Sequence, residues 1–311
     1  MRPENTEVIE LASEGFFYPS GSILASGVVE MLPLTAVDED VLGNVSLAKR
    51  GLVLPRILKR VLPSVEDIDC LLQCDVETVL LNTRILNYGP SGELSTACNK
   101  CDREHVTNVS FTFQAKPFNF NGLRRGYNVL QYEFPTNGKL IYFRLPTWRE
   151  HIEHRVSGWL SLMKKLTLTI EDEPDINDFF DLKLSGSDSR AFRGYFENNT
   201  PGFTPRWNIQ CPDCGDVELR KVDIDTGIFN VRPETKHVIH SEIFNLCYHM
   251  GGAFTYSEVY NMPVSMRSFY IKKLVESRED ENNRVKQRQE EVKSLSNVGP
   301  QTPASLSKKA T

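Results

Sequence analysis

Two Cys-x-x-Cys pairs are the residues of this chain whose type and spacing most clearly indicate chemistry. They are Cys98-Asn-Lys-Cys101 and Cys211-Pro-Asp-Cys214. Each pair offers two thiolates at the spacing of a zinc knuckle, and four thiolates complete a tetrahedral Zn²⁺ site. A strand-like, alternating run follows each pair, at 106–113 and at 217–224. The pattern predicts a zinc ribbon, with structural Zn²⁺ held by Cys98, Cys101, Cys211 and Cys214.

The two pairs are unusually far apart for one ribbon. Residues 102–210 separate them, which is much longer than a ribbon loop needs. We therefore expect a discontinuous zinc-ribbon module formed by 98–120 and 207–232. The inserted α/β region is expected to span 121–206.

Other roles for the cysteines fit less well. A redox Cys-x-x-Cys is expected at the start of a helix after a buried strand, and neither pair has that context. Disulfides require an oxidising compartment, whereas the N-terminus lacks the apolar stretch of a signal peptide. The remaining cysteines, Cys70, Cys74 and Cys247, lie among apolar residues and are interpreted as small core side chains.

Histidines near these positions are weaker metal candidates. His105 follows the first pair closely, but four cysteines already satisfy the metal. His151 and His154 have helical i, i+3 spacing and do not match the His-Glu-x-x-His pattern of zincins. We interpret them as a solvated helix face.

A site with four protein thiolates has no open coordination position, so it stabilises the fold and does not act as a Lewis acid. The sequence also contains no phosphate-binding loop, nucleophile elbow or dinucleotide-binding fingerprint. These features predict a protein that is not an enzyme and has no small-molecule substrate.

Length and charge are typical of a globular protein. The 311 residues are enough for two or three cores, and no apolar run approaches the length of a membrane span. The formal net charge of −5 gives no general attraction to nucleic acid, although local basic pairs occur at 49–50 and 124–125. Partners are therefore expected to be proteins, with no membrane.

Capping and turn signals place the elements around the cysteines. Residues 1–97 are expected to form an extended stretch followed by a helical unit, in which Thr35 caps a helix. In the inserted region, 130–134 and 140–145 predict a β-hairpin joined by an Asn-Gly turn. Thr147 and Glu150 form a capping box for a helix that follows. Its expected buried stripe is Ile152, Val156, Trp159, Leu160 and Met163.

The C-terminal part is expected to be helical over 233–293, with a disordered tail over 294–311. Thr255 and Glu258 form a second capping box. The last helix is expected to bury Met266, Phe269, Tyr270 and Leu274 and then to continue as a polar, solvent-facing helix. The predicted fold class is α+β, with helical N- and C-terminal segments around the discontinuous four-cysteine module and its inserted hairpin and helix.

Several segments resemble the T-even-type bacteriophage baseplate hub protein family. They are Gly15–Pro19, Val29–Thr35, Thr83–Gly89, Cys211–Gly215, Val259–Pro263 and Arg267–Leu274. The resemblance implies a component of a contractile-tail baseplate, with other baseplate or hub proteins as its partners. It also implies assembly in the host cytoplasm and a place in the tail of the virion.

Three functions follow from these observations. The first is a structural baseplate component with aromatic contact residues, for which the candidates are Tyr256, Tyr260, Phe269 and Tyr270. The second is a transient assembly chaperone for hub subunits. The third is a zinc-ribbon nucleic-acid-binding accessory protein, which would require a basic face around the metal. The residues beside the cysteines are instead acidic, namely Asp102, Glu104, Asp213 and Asp216.

Overall fold

A computed structural model describes residues 6–112, 115–203, 206–221 and 224–296. Helices hold 49% of the chain and strands 17%, which confirms the predicted α+β class. Residues 297–311 of the predicted tail lie outside the described residues.

Nine strands and eleven helices occur in the described residues. The strands are β1 (Glu7–Glu10), β2 (Val28–Met31), β3 (Ser91–Ala97), β4 (Glu104–Ser110), β5 (Leu130–Glu133), β6 (Leu140–Phe143), β7 (Thr167–Ile170), β8 (Arg206–Gln210) and β9 (Val217–Lys221). The helices are α1 (Ala36–Leu42), α2 (Val45–Lys49), α3 (Val53–Val61), α4 (Gln73–Tyr88), α5 (Trp148–Ser157), α6 (Trp159–Leu166), α7 (Ile176–Asp178), α8 (Gly186–Asn198), α9 (Lys236–His249), α10 (Tyr256–Tyr260) and α11 (Val264–Ser296).

The strands form four small antiparallel sheets. Three are two-stranded, β1–β2, β3–β4 and β8–β9, and the fourth has the order β5–β6–β7. The predicted hairpin of the inserted region is confirmed as β5–β6, in which Leu130 pairs with Phe143. Two-stranded sheets are only marginally stable alone, so each depends on the helices or loops against which it packs.

Helix α4 lies at the centre of the main core. It contacts β1, β3, α5 and α11, and it buries apolar side chains on several faces, including Val76, Val79 and Leu80. Its first turn carries the fully buried Asp75, whose carboxylate accepts hydrogen bonds from Ser13 and from the Tyr18 hydroxyl at 2.7 Å. The N-terminal stretch is therefore fixed to α4, because a buried carboxylate must keep its donors.

Arg84 joins the C-terminal half of α4 to both hairpins that carry the cysteines. Its side chain is 6% exposed and donates to the carbonyls of Gly89 (2.8 Å), Ser91 (3.0 Å) and Ile228 (3.1 Å). Ser91 begins β3, and Ile228 lies in the 3₁₀ turn Thr226–Phe229 that follows β9. The guanidinium group also lies 4.8 Å from the centre of the Phe111 ring. One buried cation thus links three separate segments.

The region between the cysteine pairs packs directly on α4. Trp148 donates its indole N–H to the carbonyl of Ile68 at 2.6 Å, and Leu72 pairs with Thr147 in an isolated β-bridge. A buried aromatic cluster holds the β5–β6–β7 sheet against the helices of this region. Its fully buried members are Phe134, Phe143, Phe179 and Phe192.

The capping box of Thr147 and Glu150 is confirmed, since the Thr147 amide donates to Glu150 and the Glu150 amide donates to the Thr147 hydroxyl. The prediction of one continuous helix behind it is wrong. Gly158 has a φ of 84°, which an L-residue rarely adopts, and it separates α5 from α6. As a result Ile152 and Leu160 are 42% and 41% exposed and do not belong to a shared buried stripe.

The C-terminal helices form a second, smaller core. Ile239, Ile243 and Leu246 of α9 pack with Ala36 and Val259. The capping box of Thr255 and Glu258 is confirmed. These contacts attach the C-terminal helices to α1, near the start of the chain.

Helix α11 runs for 33 residues, about 50 Å. The predicted burial of Met266 and Phe269 is wrong, because their side chains are 42% and 55% exposed. The buried residue of this turn is Arg267, whose guanidinium donates to Glu39 at 2.6 Å and to Glu242 at 3.3 Å. The ion pair with Glu39 of α1 thus accounts for the inward position of the charged Arg267 side chain.

Of the three other cysteines, Cys74 and Cys247 pack against the two cores, whereas Cys70 does not. Cys70 is exposed, whereas Cys74 and Cys247 are half-buried. Cys70 lies in a short 3₁₀ turn, Ile68–Cys70, and its thiol donates to the carbonyl of Asp67 at 2.8 Å. The interpretation of Cys70 as a core residue is therefore wrong.

Replacing Gly92 should destabilise the protein, because a Cβ there would collide with the Arg84 guanidinium and approach the Phe111 ring to 2.9 Å. Arg84 cannot move aside without losing its carbonyl acceptors. We expect Gly92→Ala to lower the free energy of unfolding by about 1–3 kcal/mol, measured by urea denaturation. Gly194→Ala is the control, since a Cβ at this α8 position meets no atom within 4 Å. Equal stability of the two variants would contradict the role of Arg84.

Candidate metal centre

The structure brings the four predicted cysteines together. Their sulfur atoms all lie within 4.8 Å of one another. Two sulfur–sulfur contacts cross between the two motifs: Cys98 to Cys214 at 3.6 Å and Cys101 to Cys211 at 3.7 Å. Four thiolates at ~2.3 Å from one metal ion would have sulfur–sulfur distances of about 3.8 Å. The cluster is therefore close to the dimensions of a tetrahedral metal site, and it could bind a metal ion.

The two cysteine turns share one backbone conformation. In each, the amide of the first cysteine donates to the carbonyl five residues later, at 3.0 Å for Cys98 and 2.8 Å for Cys211. The amide four residues later donates back to that cysteine's carbonyl, at 2.9 Å in both. That fourth residue has positive φ in both turns, 55° for Asp102 and 70° for Gly215. The same turn is thus built twice, at the tips of β3–β4 and of β8–β9.

Backbone amides also stabilise the thiolate form of Cys98. The amide of Lys100 donates to the sulfur of Cys98 at 3.4 Å. Hydrogen bonds from the amides of Lys100 and Cys101 lower the pKa of the Cys98 thiol to about 7. They favour the thiolate, which is the form that binds metals.

The site has a buried side and an exposed side. Cys98 and Cys211 are 6% and 2% exposed, Cys101 is half-buried, and Cys214 is exposed. A metal ion here would be shielded by the hairpins on one side and close to solvent on the other.

Side-chain contacts between the two hairpins hold the cysteine turns close together. The Trp207 indole of β8 donates to the carbonyl of Ser110 at 2.7 Å and packs edge-on against Phe111. Arg220 of β9 donates to the carbonyl of Ala97 at 2.6 Å and to Asn99 at 3.1 Å. These contacts bring the last residues of β3 close to β9.

Two ion pairs also cross between the cysteine turns. Arg103 pairs with Asp213 at 3.1 Å, and Lys100 pairs with Asp216 at 3.4 Å. All four side chains are more than one third exposed, so each pair contributes little to stability. They do neutralise two of the acidic groups that surround the site.

The histidines do not join the cluster. His105 lies 3.4 Å from the Thr96 hydroxyl, and the group of possible metal ligands consists of the four cysteines alone among the described residues. His151 is half-buried and lines a pocket with Gln73 and Glu77, so it is only partly exposed to solvent. The side chain of His154 lies outside the described residues.

The sequence did not indicate the residues that hold the cluster in place. Arg84, Trp207 and Arg220 act through contacts with backbone carbonyls that are distant in the sequence. A Trp at an alternating strand position signals burial, but the sequence does not identify its acceptor.

Comparisons of the chain with models of protein families, with curated proteins and with solved structures give no match. The resemblance to baseplate hub proteins therefore stays a prediction. Within the residues that the structure describes, no helix combines the length and apolarity that a membrane crossing needs.

Loss of one cysteine should loosen both hairpins, because the four sulfurs join turns that are more than a hundred residues apart in the sequence. We expect Cys211→Ser to increase protease cleavage and amide exchange in β3–β4 as well as in β8–β9. Cys70→Ser is the control, since Cys70 is exposed and outside the cluster. Unchanged protection of β3–β4 in Cys211→Ser would show that the first hairpin does not depend on the cluster.

Proposed function

We propose that the protein is a zinc-stabilised structural component of a contractile-tail phage baseplate, acting through contacts with other baseplate or hub proteins. The four-cysteine cluster at the joined tips of two hairpins carries the metal part of this proposal, and the baseplate part is inferred from the resemblance of the sequence segments. In this view the cluster and its hairpins form a zinc ribbon split by an insertion. Four sulfur ligands at near-tetrahedral spacing fit Zn²⁺ well.

The metal would act in folding and not in catalysis. Once four thiolates bind Zn²⁺, no position is left for water or a substrate. The ion would hold the two hairpins together, and the binding free energy would add to the stability of the fold. This supports the proposal that the protein is not an enzyme.

The resemblance to baseplate hub proteins is supported by the position of its segments. The amide of Leu34 donates to the Asn87 side chain at 2.9 Å, and the amide of Val264 donates to the carbonyl of Leu34 at 2.9 Å. Thr35 and Pro263 form a β-bridge. Three of the six family-like segments, 29–35, 83–89 and 259–263, thus lie together in the structure although they are distant in the sequence. This is expected if the similarity reflects a shared structural unit.

Exposed aromatic side chains supply candidate contact residues. Phe269 and Tyr256 are 55% and 52% exposed, which fits the predicted role in partner contacts. Phe244 and Tyr248 of α9, which the sequence did not single out, are 61% and 69% exposed and stack at 5.6 Å. A partner that covered these exposed aromatic side chains would remove their apolar surface from contact with water.

Tyr260 and Tyr270 fit an internal role better than the predicted partner contacts. The Tyr260 hydroxyl donates to Asp40 at 2.6 Å, and Tyr270 packs edge-on against Phe254. Tyr260 thus attaches α10 to α1, whereas Tyr270 packs within the smaller core of the C-terminal helices.

The metal can be tested directly. Freshly purified, reduced protein should contain about one zinc ion per chain, measured by elemental analysis, because the chain offers one set of four thiolates. Cys98→Ser should lose most of the zinc, whereas Cys70→Ser should keep it. Protein without metal, or with iron in place of zinc, would overturn the zinc proposal.

The baseplate role predicts packaging and a contact surface. Mass spectrometry should find the protein in purified virions, and its presence only in infected-cell lysate would favour the transient chaperone.

Phe244→Ser combined with Tyr248→Ser should reduce the number of assembled tails while leaving soluble, zinc-loaded protein unchanged. Leu182→Ser is the matched control, because Leu182 is 79% exposed and lies in another part of the fold. Equal tail yields from both variants would argue against α9 as a contact surface.

A further inference from the structure

Five exposed cations lie on α2, on α3 and in the turn between these helices. They are Lys49, Arg50, Arg56, Lys59 and Arg60, which we call the basic surface. Residues 45–62 contain no acidic residue, although the chain as a whole has a formal net charge of −5. Positive charge is therefore concentrated in one part of a protein that is acidic overall.

Most cations of the basic surface are unpaired. Arg60 lies 3.7 Å from Asp38, whose side chain is buried. No ion pair or side-chain hydrogen bond joins the other four to any residue that the structure describes. Glu39, the acidic residue after Asp38, binds Arg267, and the acidic residues that follow α3 begin only at Glu66. Four positive charges are thus available for an external ligand.

Helix α3 presents three of the cations on its outer face. Arg56, Lys59 and Arg60 are three and four positions apart, so their side chains leave the same side of the helix. The opposite side is held in the core by four apolar residues, Val53, Ile57, Leu58 and Val61. The helix has nine residues and is about 13 Å long, which spans roughly four phosphates along one strand of a duplex.

The composition of the segment distinguishes between possible partners. A basic helix binds a membrane surface by inserting its apolar face, and this face of α3 is already buried in the core. Proteins that bind single-stranded nucleic acid stack its bases on aromatic side chains, and residues 45–62 contain none. Within residues 45–62, all of which the structure describes, Val45 is the one large apolar side chain that is exposed. The segment therefore offers little apolar surface to a protein partner.

An acidic surface on a second copy of this chain is the other candidate occupant. Glu171, Asp172 and Asp178 are exposed around the start of α7 and could meet the basic surface of another molecule. Each exposed ion pair of this kind contributes only about 0–1 kcal/mol. The same cations gain more from the phosphates of a duplex, because binding releases the counterions that are condensed on the nucleic acid. These magnitudes favour a nucleic-acid duplex.

We propose that the basic surface binds the phosphate backbone of duplex DNA without sequence specificity. The major groove of B-DNA is about 12 Å wide and admits an α-helix, so the outer face of α3 can approach phosphates beside the groove. The major groove of an RNA duplex is too narrow for a helix. Phosphate contacts carry no sequence information. DNA binding here is independent of the proposed baseplate role and of the metal, since no cysteine of the cluster lies in 45–62.

The test measures binding of the full-length protein to a fluorescein-labelled DNA duplex of about 20 base pairs by fluorescence anisotropy, at salt concentrations of about 50 and 150 mM. With about four phosphate contacts, the slope of log K against log salt concentration should be about −3.6, so the affinity should fall about 50-fold over this range. Arg56→Gln combined with Lys59→Gln removes two contacts. This variant should bind more weakly at the lower salt concentration, and its affinity should fall only about sevenfold over the same range.

A matched double variant separates the basic surface from general charge effects. Lys286→Gln combined with Arg288→Gln removes the same two charges from exposed positions of α11, where basic and acidic residues alternate. It should keep the 50-fold salt dependence of the unchanged protein. Both variants should keep the melting temperature and zinc content, because the substituted side chains are exposed. If the first variant fails to fold, Lys49→Gln combined with Arg50→Gln provides the same test on the α2 side.

Four results would overturn the inference. They are no binding of the duplex at the lower salt concentration, equal salt dependence of the two double variants, binding of a single strand or an RNA duplex that is as tight as that of duplex DNA, and self-association that Arg56→Gln with Lys59→Gln abolishes. The last result, measured by sedimentation velocity at the lower salt concentration, would identify a second copy as the occupant.

Discussion

The buried guanidinium of Arg84 is the contact on which the arrangement of the two hairpins depends. It has no carboxylate partner among its hydrogen bonds, and it donates instead to three backbone carbonyls on both sides of the cysteine module. Carbonyls have fixed positions once the backbone has folded, so the cation aligns the start of β3 with the turn that follows β9. Glycine at position 92 leaves the space that this side chain needs. The thiolates can meet at the tips of the hairpins because their bases are already aligned by α4.

Helix α4 serves as a common support for parts of the chain that would be unstable alone. Its first turn fixes the N-terminal stretch through Asp75, its middle packs in the main core, and its last turns hold the hairpins. Buried polar groups occur at both ends of this helix, and Asp75 and Arg84 each have at least one hydrogen-bonding partner in a segment distant in the sequence. Such groups cost free energy if their partners are lost, so they specify one arrangement of the surrounding segments more strictly than apolar contacts do.

The features that local sequence patterns determine were predicted well, and those that depend on distant partners were not. The capping boxes at Thr147 and Thr255 involve residues three positions apart, so the sequence alone identifies them. Phe269 was predicted to be buried, because the apolar pattern favours its burial, but it is exposed. Arg267 is buried instead, and its partner Glu39 lies more than two hundred residues away in the sequence. Gly158 was treated as an ordinary helix residue, although its backbone conformation ends one helix and begins another. The cysteine cluster could be anticipated because spacing defines each pair, while the role of Arg84 is visible only in the folded chain.

The long separation between the cysteine pairs also has a consequence during synthesis of the chain. The ribosome must add the 109 residues from 102 to 210 after Cys101 before Cys211 appears. At ~5–20 residues per second this delay lasts roughly 5–20 s. During this time the first hairpin carries only half of a metal site, α4 has already been made, and the strands of the β5–β6–β7 sheet are being added. A metal ion that binds all four thiolates would therefore arrive late, and it would lock a body that is largely formed instead of starting its folding.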